Sequence, residues 1–358
     1  MTTNSIANSA LRIIDANTNR SLEGLRVVED FVRFCLNDKH LATQYKEIRH
    51  SLVAVLAQLP QQDLAAARHT PGDVGTQIEA SDEYTRESAS SVAIASQKRV
   101  EQALRCIEEY SKTIEPNIAP TVEQLRYRVY TIGKAIAMTV ASLGRLENKC
   151  LYMLIDGGRS PEAFERLARQ LTVAGVDLVQ LRDKRLPDRE LVARGHMLRA
   201  ITRDSDTLFL VNDRPDIAVI VGADGAHVGQ DELSVNDSRA ILGPDRLIGV
   251  STHSIEQARQ AVLDGADYIG CGPTFPSRTK AFEQFPGVAF LQAVADEISL
   301  PAFAIGGISL DKLPQVIDSG FHRIAVSSYV TGATEPRAAV DELKTALQSA
   351  ALTISATP

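Results

Sequence analysis

From residue 150 onward the chain repeats one unit eight times, a short apolar run followed by an amphipathic helical pattern. The apolar runs are CLYMLID, VDLVQLR, LFLVND, GAHVG, RLIGVS, YIGCG, PAFAIGG and RIAVSS, and the helical patterns run from EAFERLARQLTVAG to EPRAAVDELKTALQSA. Continuously apolar runs suit strands buried on both faces, and such strands are parallel. Eight units in about 205 residues fit a closed (β/α)8 TIM barrel near the short end of its size range. An open doubly wound sheet is the alternative, but no glycine-rich dinucleotide fingerprint follows the first strand. The expected fold class is α/β, a (β/α)8 barrel preceded by an all-α domain.

The first half keeps a different rhythm. SLEGLRVVEDFVRFCL, LATQYKEIRHSLVAVLAQL, SSVAIASQKRVEQALRCIEEYSK and TVEQLRYRVYTIGKAIAMTV carry apolar residues three and four apart, the helical period. The change of rhythm sets the domains at 1–146 and 147–358. Within the first, residues 16–31 match residues 95–110 without gaps, with Arg20/Arg99, Leu25/Leu104, Arg26/Arg105 and Glu29/Glu108 identical. The following helices align Arg49 with Arg126. Apolar matches arise by chance between amphipathic helices, whereas Arg and Glu at one offset are harder to explain that way. A duplicated helical hairpin is expected, giving a four-helix core around a pseudo-twofold axis. Arg26 and Glu29, like Arg105 and Glu108, can meet on one helix face. That stripe is either a solvated face or an anion site bordered by His69 and Asp73.

Bulk composition removes several functions. With 38 basic against 45 acidic residues the net charge is −7, which argues against general nucleic-acid binding and against an anionic membrane surface. No apolar run approaches membrane-spanning length, and the first twenty residues have no signal-peptide pattern. The four cysteines have no paired spacing, which suggests reduced thiols and a cytoplasmic protein. Nothing in the sequence fixes the oligomeric state, and a homo-oligomer is compatible with it.

In a barrel of this kind the strand C-termini converge on one mouth. Read in order, they bring Gln180, Arg182 and Lys184, then Asn212 and Asp213, then His227, Gln230, Asp231 and Glu232, then Ser251 and His253. The loop CGPTFPSRTK follows with Ser277, Thr279 and Lys280, then Gly306–Gly307 and Ser327–Ser328. Arg182, Lys184 and Lys280 are cations. Asp213 with Asp231 or Glu232 offers hard oxygen donors suited to Mg²⁺, an ion usually held by one or two carboxylates plus a substrate's phosphate oxygens. No nucleophile–base pair is evident, so a polyphosphate leaving group suits this mouth better than hydrolytic acid–base catalysis. AIGGIS and AVSSYV place backbone N–H groups and hydroxyls after strands 7 and 8, where barrels commonly hold a monophosphate. Histidines 227 and 253 are expected to be hydrogen-bonded strand-end residues, with His253 equally placed to join the first turn of a helix, and Cys271 is expected to pack within its strand. Asp156 could face the mouth or cap a helix.

VQLRDK, LVNDRPDIA, GADGAHVGQDELS, LIGVSTHS, GADYIGCGPTFPSRTK and AIGGIS resemble, in order and on the expected strand ends, the motifs of the thiamine phosphate synthase family. The resemblance covers about Cys150 to Ala350. It implies that hydroxymethylpyrimidine diphosphate and a thiazole phosphate are joined with release of pyrophosphate. It implies that Gln180, Arg182, Lys184, Asn212 and Lys280 hold the diphosphate substrate, with Arg182, Lys184 and Lys280 catalytic. Ser251 would contact the pyrimidine, and Ser277, Thr279, Gly307, Ser327 and Ser328 would hold the thiazole phosphate. Asp213 would carry Mg²⁺. The family usually has GQxD where this chain has GQDE, so the second ligand is the aligned Glu232 or its neighbour Asp231.

Residues 5 to 140 resemble a small helical family fused ahead of such synthases and proposed to be a hydroxymethylpyrimidine phosphate kinase; no P-loop is present. Two rival functions share the barrel: a thiazole tautomerase-like enzyme, which needs no diphosphate clamp, and a non-catalytic sensor of thiamine precursors.

Overall fold

The computed structural model describes residues 3–70, 73, 85–276 and 285–355. Packing divides the chain into two compact units, Met1–Ala137 and Met138–Pro358.

Unit 1 is helical. Helix α1 (Thr3–Phe31) continues as a π-helix over Val32–Leu36 and stops at Asn37, whose left-handed backbone (φ 56°) closes the turn. Asp38 then caps α2 (Lys39–Leu56) by accepting from the Leu41 N–H at 2.7 Å. Next come a short α3 (Gln61–Ala67), α4 (Ala89–Ser111) opened by a Ser88–Ser91 capping box, and α5 (Ala119–Arg145). Their apolar faces meet in a core of Ile14, Leu25, Leu41, Tyr45, Ile48, Leu52, Leu104, Ile107 and Val129. Helices α1 and α4 approach closely where Gly24 leaves room: a Cβ there would lie 2.6 Å from Val100 Cγ2. Repeat-equivalent positions make equivalent ion pairs. Glu29 receives Arg49 Nε at 3.0 Å, and Glu108 receives Arg126 Nε at 2.8 Å.

The sequence periodicity starts the first helix at Ser21, but α1 begins far upstream. Its first two turns are polar, and buried Ile14, Asn17 and Ser21 continue the inward stripe where composition alone hides it. Helix α3 was also outside the expected set, because seven residues carry too few apolar positions to show a period.

In unit 2, parallel strands pair in chain order into a closed barrel. They are β1 (Leu151–Ile155), β2 (Leu178–Leu181), β3 (Leu208–Asn212), β4 (Gly225–Val228), β5 (Leu247–Thr252), β6 (Tyr268–Cys271), β7 (Ala302–Ile305) and β8 (Ile324–Val326). Closure is made by β8 on β1, with Leu151 opposite Ile324. The helices that follow the strands are α6 (Pro161–Val173), α7 (Asp188–Thr202), α8 (Pro215–Val221), α9 (Val235–Leu242), α10 (Ile255–Asp264), α11 (Gly287–Glu297), α12 (Leu313–Asp318), α13 (Ser328–Thr331) and α14 (Pro336–Ser355). All eight expected strands are present, and the four-residue α13 is an addition. Inside, Tyr152, Leu178, Leu210, Leu247, Tyr268, Phe303 and Ala325 form a layer that Leu146 also joins. The expected boundary at 146/147 marks the end of α5, whereas the division by packing falls earlier, at Ala137/Met138.

A recurrent Gly-x-Asp sets the barrel's register. Gly175, Gly222 and Gly265 adopt positive φ at the close of a helix, and Asp177, Asp224 and Asp267 open the next strand. Each carboxylate accepts a backbone N–H from the preceding strand: Leu151 at 2.8 Å, Phe209 at 2.7 Å and Ile248 at 2.7 Å. Strand ends on the opposite side are thereby free to carry chemistry.

Candidate functional site

The β2–α7 loop carries the cations. Arg182 donates its backbone N–H to Ile155 O at 2.8 Å, and its guanidinium forms no ion pair among the described residues. Asp183 holds the loop in shape. Its buried carboxylate accepts backbone N–H groups from Gly157 (3.1 Å), Arg185 (2.8 Å) and Leu186 (3.2 Å). Burial works against its charge, yet these three donors hold its pKa below the ordinary carboxylate range. Lys184 reaches across the mouth to Asp213 Oδ2 at 3.0 Å and Glu232 Oε1 at 3.6 Å. Hydrogen bonding to Asp213 raises its pKa, so the ammonium stays charged.

Asp213 sits just past β3 with φ 59°, one of two non-glycine residues among those described with positive φ. Its N–H donates to His227 O at 2.7 Å, which ties the bend to β4. Backbone strain of this kind concentrates at functional positions. Here the bend sets the carboxylate opposite Glu232, which lies over Gly229, where a Cβ would collide with its Oε2. Asp231 is exposed and forms no ion pair among the described residues. Among the described residues no cluster of three or more His, Cys, Asp or Glu could hold a metal. Among the described residues, Asp213 and Glu232 are the two carboxylates that share Lys184.

A polar chain, buried from Gln180 to His227, links residues expected at the mouth through two tyrosines that sequence reasoning missed. Gln180 Nε2 donates to Tyr152 Oη at 2.5 Å, Tyr152 Oη lies 2.9 Å from Tyr268 Oη, and Tyr268 Oη lies 3.0 Å from His227 Nδ1. His227 Nε2 lies 2.9 Å from Ser251 Oγ, and Gln230 Nε2 donates to Ser251 O at 2.6 Å. Burial pushes the His227 imidazole down to about 4, with Asp213 opposing and Arg182 reinforcing the shift. Gln180 Oε1 is buried with no hydrogen-bond partner among the described residues. The available signal was a tyrosine inside each of two apolar strands, LYMLI and YIGC, because a buried phenol requires a partner.

The late strands bring backbone together. Thr274 N–H and Oγ1 both donate to Ile305 O, at 2.9 and 3.0 Å, and Phe275 N–H donates to Gly306 O at 2.9 Å. Gly306 (φ 100°) and Gly307 (φ 65°) are required by conformation and by space. A Cβ on Gly307 would lie 2.8 Å from Pro276 O. Ser327 follows β8, and Ser328 opens α13. Asn212 ends β3, half-buried at the same rim. Ser277, Thr279 and Lys280 lie outside the described residues.

The remaining expectations are met in varied ways. His253 lies past β5, its Nδ1 2.5 Å from Gly272 O, and precedes the Ser254 cap of α10 rather than joining the helix. Cys271 is buried in β6. Asp156 accepts from Gly158 N–H at 3.0 Å and pairs with Arg185, while Ser160 caps α6. In unit 1, Arg26 and Arg105 pair with Glu29 (3.8 Å) and Glu108 (2.5 Å), and Arg26 and Arg49 line a shallow cleft with Leu22 and Val53. His69 O accepts from Arg12 at 3.4 Å, and Asp73 N–H donates to Thr70 O. Among the described residues no helix is long and apolar enough to cross a membrane.

Fold and mouth together define a (β/α)8 barrel whose strand ends gather cations, carboxylates and glycine backbone. Residues 151–330 match the family described as Thiamine monophosphate synthase, and residues 12–135 match the ThiD2 family. The thiamine-phosphate synthase of Rhodopirellula baltica is 45% identical over 343 residues, covering 93% of this chain and 90% of that protein. That of Synechocystis is 40% identical, covering 94% and 96%. The structure of thiamine phosphate pyrophosphorylase from Pyrococcus furiosus superposes with a TM-score of 0.51 at 34% identity, over 56% of this chain and 96% of that one. The chain belongs to the thiamine-phosphate synthase family and is a transferase of thiamine biosynthesis.

Proposed function

We propose that the barrel mouth joins hydroxymethylpyrimidine diphosphate to a thiazole phosphate by a dissociative substitution assisted by Mg²⁺. The observation that carries this is Lys184, whose ammonium lies between Asp213 and Glu232 with the Arg182 guanidinium left for another anion. Two carboxylates already converging on one cation suit Mg²⁺, which takes few protein oxygens and completes its shell from phosphate and water. Asp213 and Glu232 would hold it, and when bound it would neutralise charge on the departing diphosphate. Arg182, Lys184 and Lys280 stabilise the same leaving charge, with Gln180 and Asn212 orienting the substrate. The methylene C–O bond breaks with its electron pair leaving on pyrophosphate, and the amino-substituted ring carries the positive charge. The thiazole nitrogen then donates its lone pair to form the C–N bond. Gly307, Ser327, Ser328, Ser277 and Thr279 hold the thiazole phosphate in line, and Ser251 contacts the pyrimidine. Positioning and electrostatics suffice, which is why the mouth needs no nucleophile. A tautomerase would have no use for the cation–carboxylate group.

The test is substitution at the acidic pair. Asp213→Asn should lower Mg²⁺-dependent turnover by about 100-fold or more, and Glu232→Gln should cost far more than Asp231→Asn. Full activity in Glu232→Gln with loss in Asp231→Asn would move the ligand one residue back.

For unit 1, the ThiD2-family match supports a hydroxymethylpyrimidine phosphate kinase, whose product would be the barrel's substrate.

A further inference from the structure

Both repeats of unit 1 bury a glutamate and hold an arginine against it by Nε, Arg49 on Glu29 at 3.0 Å and Arg126 on Glu108 at 2.8 Å. What surrounds the rest of the guanidinium differs. In the second repeat the group is used up. Arg126 Nη1 donates to Tyr130 Oη at 3.4 Å and Nη2 lies 3.9 Å from Glu123. The rings of Tyr127 and Tyr130 lie against the same guanidinium, at 4.6 and 5.5 Å. In the first repeat, counting from the Arg49/Arg126 match, Val53 stands where the second has Tyr130, and Lys46 where it has Glu123. Arg49 Nη1 and Nη2 donate to nothing among the described residues, although the side chain is only 18% exposed. Arg26 shows the same contrast. Its counterpart Arg105 meets Glu108 at 2.5 Å and Glu109 at 2.9 Å, whereas Arg26 comes no nearer to Glu29 than 3.8 Å.

The result is a cleft of about 510 Å³ that Arg26 and Arg49 line together with Leu22, Glu23, Val27 and Val53. That volume lies in the range of small-ligand sites. Val27 and Val53 are exposed, so an apolar wall stands beside two guanidinium groups that share one carboxylate. Of the other acids nearby, Asp30 pairs with Arg33 at 3.5 Å, and exposed Glu23 forms no ion pair among the described residues. Lys46, one turn before Arg49 on α2, adds a cation to the same side. A guanidinium pinned by its Nε, with both Nη groups open, is a preset fork for phosphate oxygens. The second repeat shows what this position accepts: an aromatic ring against the guanidinium, with an anion at its Nη edge.

We propose that this cleft binds a phosphorylated heteroaromatic compound, Arg49 and Arg26 taking the phosphate and Val27 and Val53 the ring. The ligand supplies from outside what Tyr130 and Glu123 supply within the second repeat. The inference deepens the kinase reading of unit 1 and rests on it for the two compounds that share this chemistry, hydroxymethylpyrimidine phosphate and ATP.

The experiment is calorimetry on the full chain with hydroxymethylpyrimidine phosphate, with a non-hydrolysable ATP analogue and Mg²⁺, and with inorganic phosphate. Val53→Tyr copies the second repeat into the first and leaves both arginines in place. It should weaken one of the two ring-bearing ligands by about 10-fold or more, and the ligand it weakens is the occupant. Arg26→Ala should weaken the same ligand by about 10-fold, and decides the matter if Val53→Tyr does not fold. Arg49 itself is left in place, because removing it strands the buried Glu29 carboxylate. Val92→Tyr, the same change at an exposed valine of α4, should leave both affinities as in wild type. Inorganic phosphate should bind about 10-fold or more weakly than the occupant, and equal affinity overturns the part given to the ring. A folded Val53→Tyr chain with wild-type affinity for both ring-bearing ligands overturns the inference, and the kinase reading stands if wild type still makes the diphosphate from monophosphate and ATP. Affinity lost in Val53→Tyr, from a wild-type chain that makes no diphosphate, keeps the site and overturns the kinase reading.

Discussion

At His227, burial decides the protonation state. The imidazole is held neutral with a pKa of about 4 in the fold, against 6.5 for a solvated histidine. Between those values the unfolded chain binds a proton that the folded chain refuses, so stability is complete above about pH 6.5 and falls as pH drops toward 4. Asp213 and Arg182 are the charges that bear on the ring, and they act in opposite directions. The expected loss is about 2 kcal/mol between pH 7 and pH 5. Urea midpoints of the barrel transition at both pH values should show it in wild type and show a flatter dependence in His227→Gln. Equal slopes would mean the ring charges freely in place. Gly307 makes a second prediction. Alanine there meets both a positive φ and Pro276 O at 2.8 Å, so the β6 and β7 loops must part. The thiazole phosphate KM should rise by about 10-fold or more, with the diphosphate KM nearly unchanged, in steady-state titrations of each substrate. Residues of distinctive type at strand ends, such as Asp213, Lys184 and Gly307, were visible in the sequence because charge and glycine have few reasons to be there. Tyr152, Tyr268 and Asp183 were not. Each acts through partners from other strands or loops, and such pairing has no signature in one segment.

The eight strands could be counted from sequence because burial on both faces leaves an uninterrupted apolar run. What the runs could not show is how the sheet is held in register. The Gly-x-Asp turns do this, but a glycine and an acid before a strand look like an ordinary loop until the carboxylate is seen on the neighbouring strand's N–H groups. The end of α5 was similarly obscure. Its Ser142 Oγ donates to Asp267 at 3.4 Å, and Leu146, fully buried, closes the inner layer formed by Tyr152, Tyr268 and Phe303. Arg323 adds a contact to Leu146 O at 3.4 Å. A segment that reads as the last turn of a helical domain therefore supplies core to the barrel. Leu146→Ala should cost about 2–5 kcal/mol, the range for emptying a buried leucine site. The readout is the urea concentration at which synthase activity is lost, and a shift within error of wild type would show that the layer closes without Leu146.

At the scale of the whole chain, two family matches on one polypeptide, residues 12–135 and 151–330, set up a prediction that neither unit makes alone. If unit 1 phosphorylates hydroxymethylpyrimidine phosphate, the full chain should make thiamine phosphate from that monophosphate, ATP, Mg²⁺ and thiazole phosphate. Omitting ATP should abolish product, and supplying the diphosphate directly should restore it. The repeat-equivalent clusters of unit 1 give the control. Arg26 and Arg49 share the single carboxylate of Glu29 and keep positive charge for an anion, whereas around Glu108 the cations Arg105, Arg126 and Lys112 are matched by Glu108, Glu109 and Glu123. Arg26→Ala with Arg105→Ala should slow the ATP-dependent route and leave the diphosphate route unchanged. Asp213→Asn should do the opposite, blocking thiamine phosphate while hydroxymethylpyrimidine diphosphate accumulates. Separation of the reaction mixture by ion-exchange chromatography reads all three species. If Asp213→Asn accumulates no diphosphate while the wild-type chain still converts supplied diphosphate, unit 1 is not the kinase, and its arginine–glutamate clusters are a solvated face of a helical bundle.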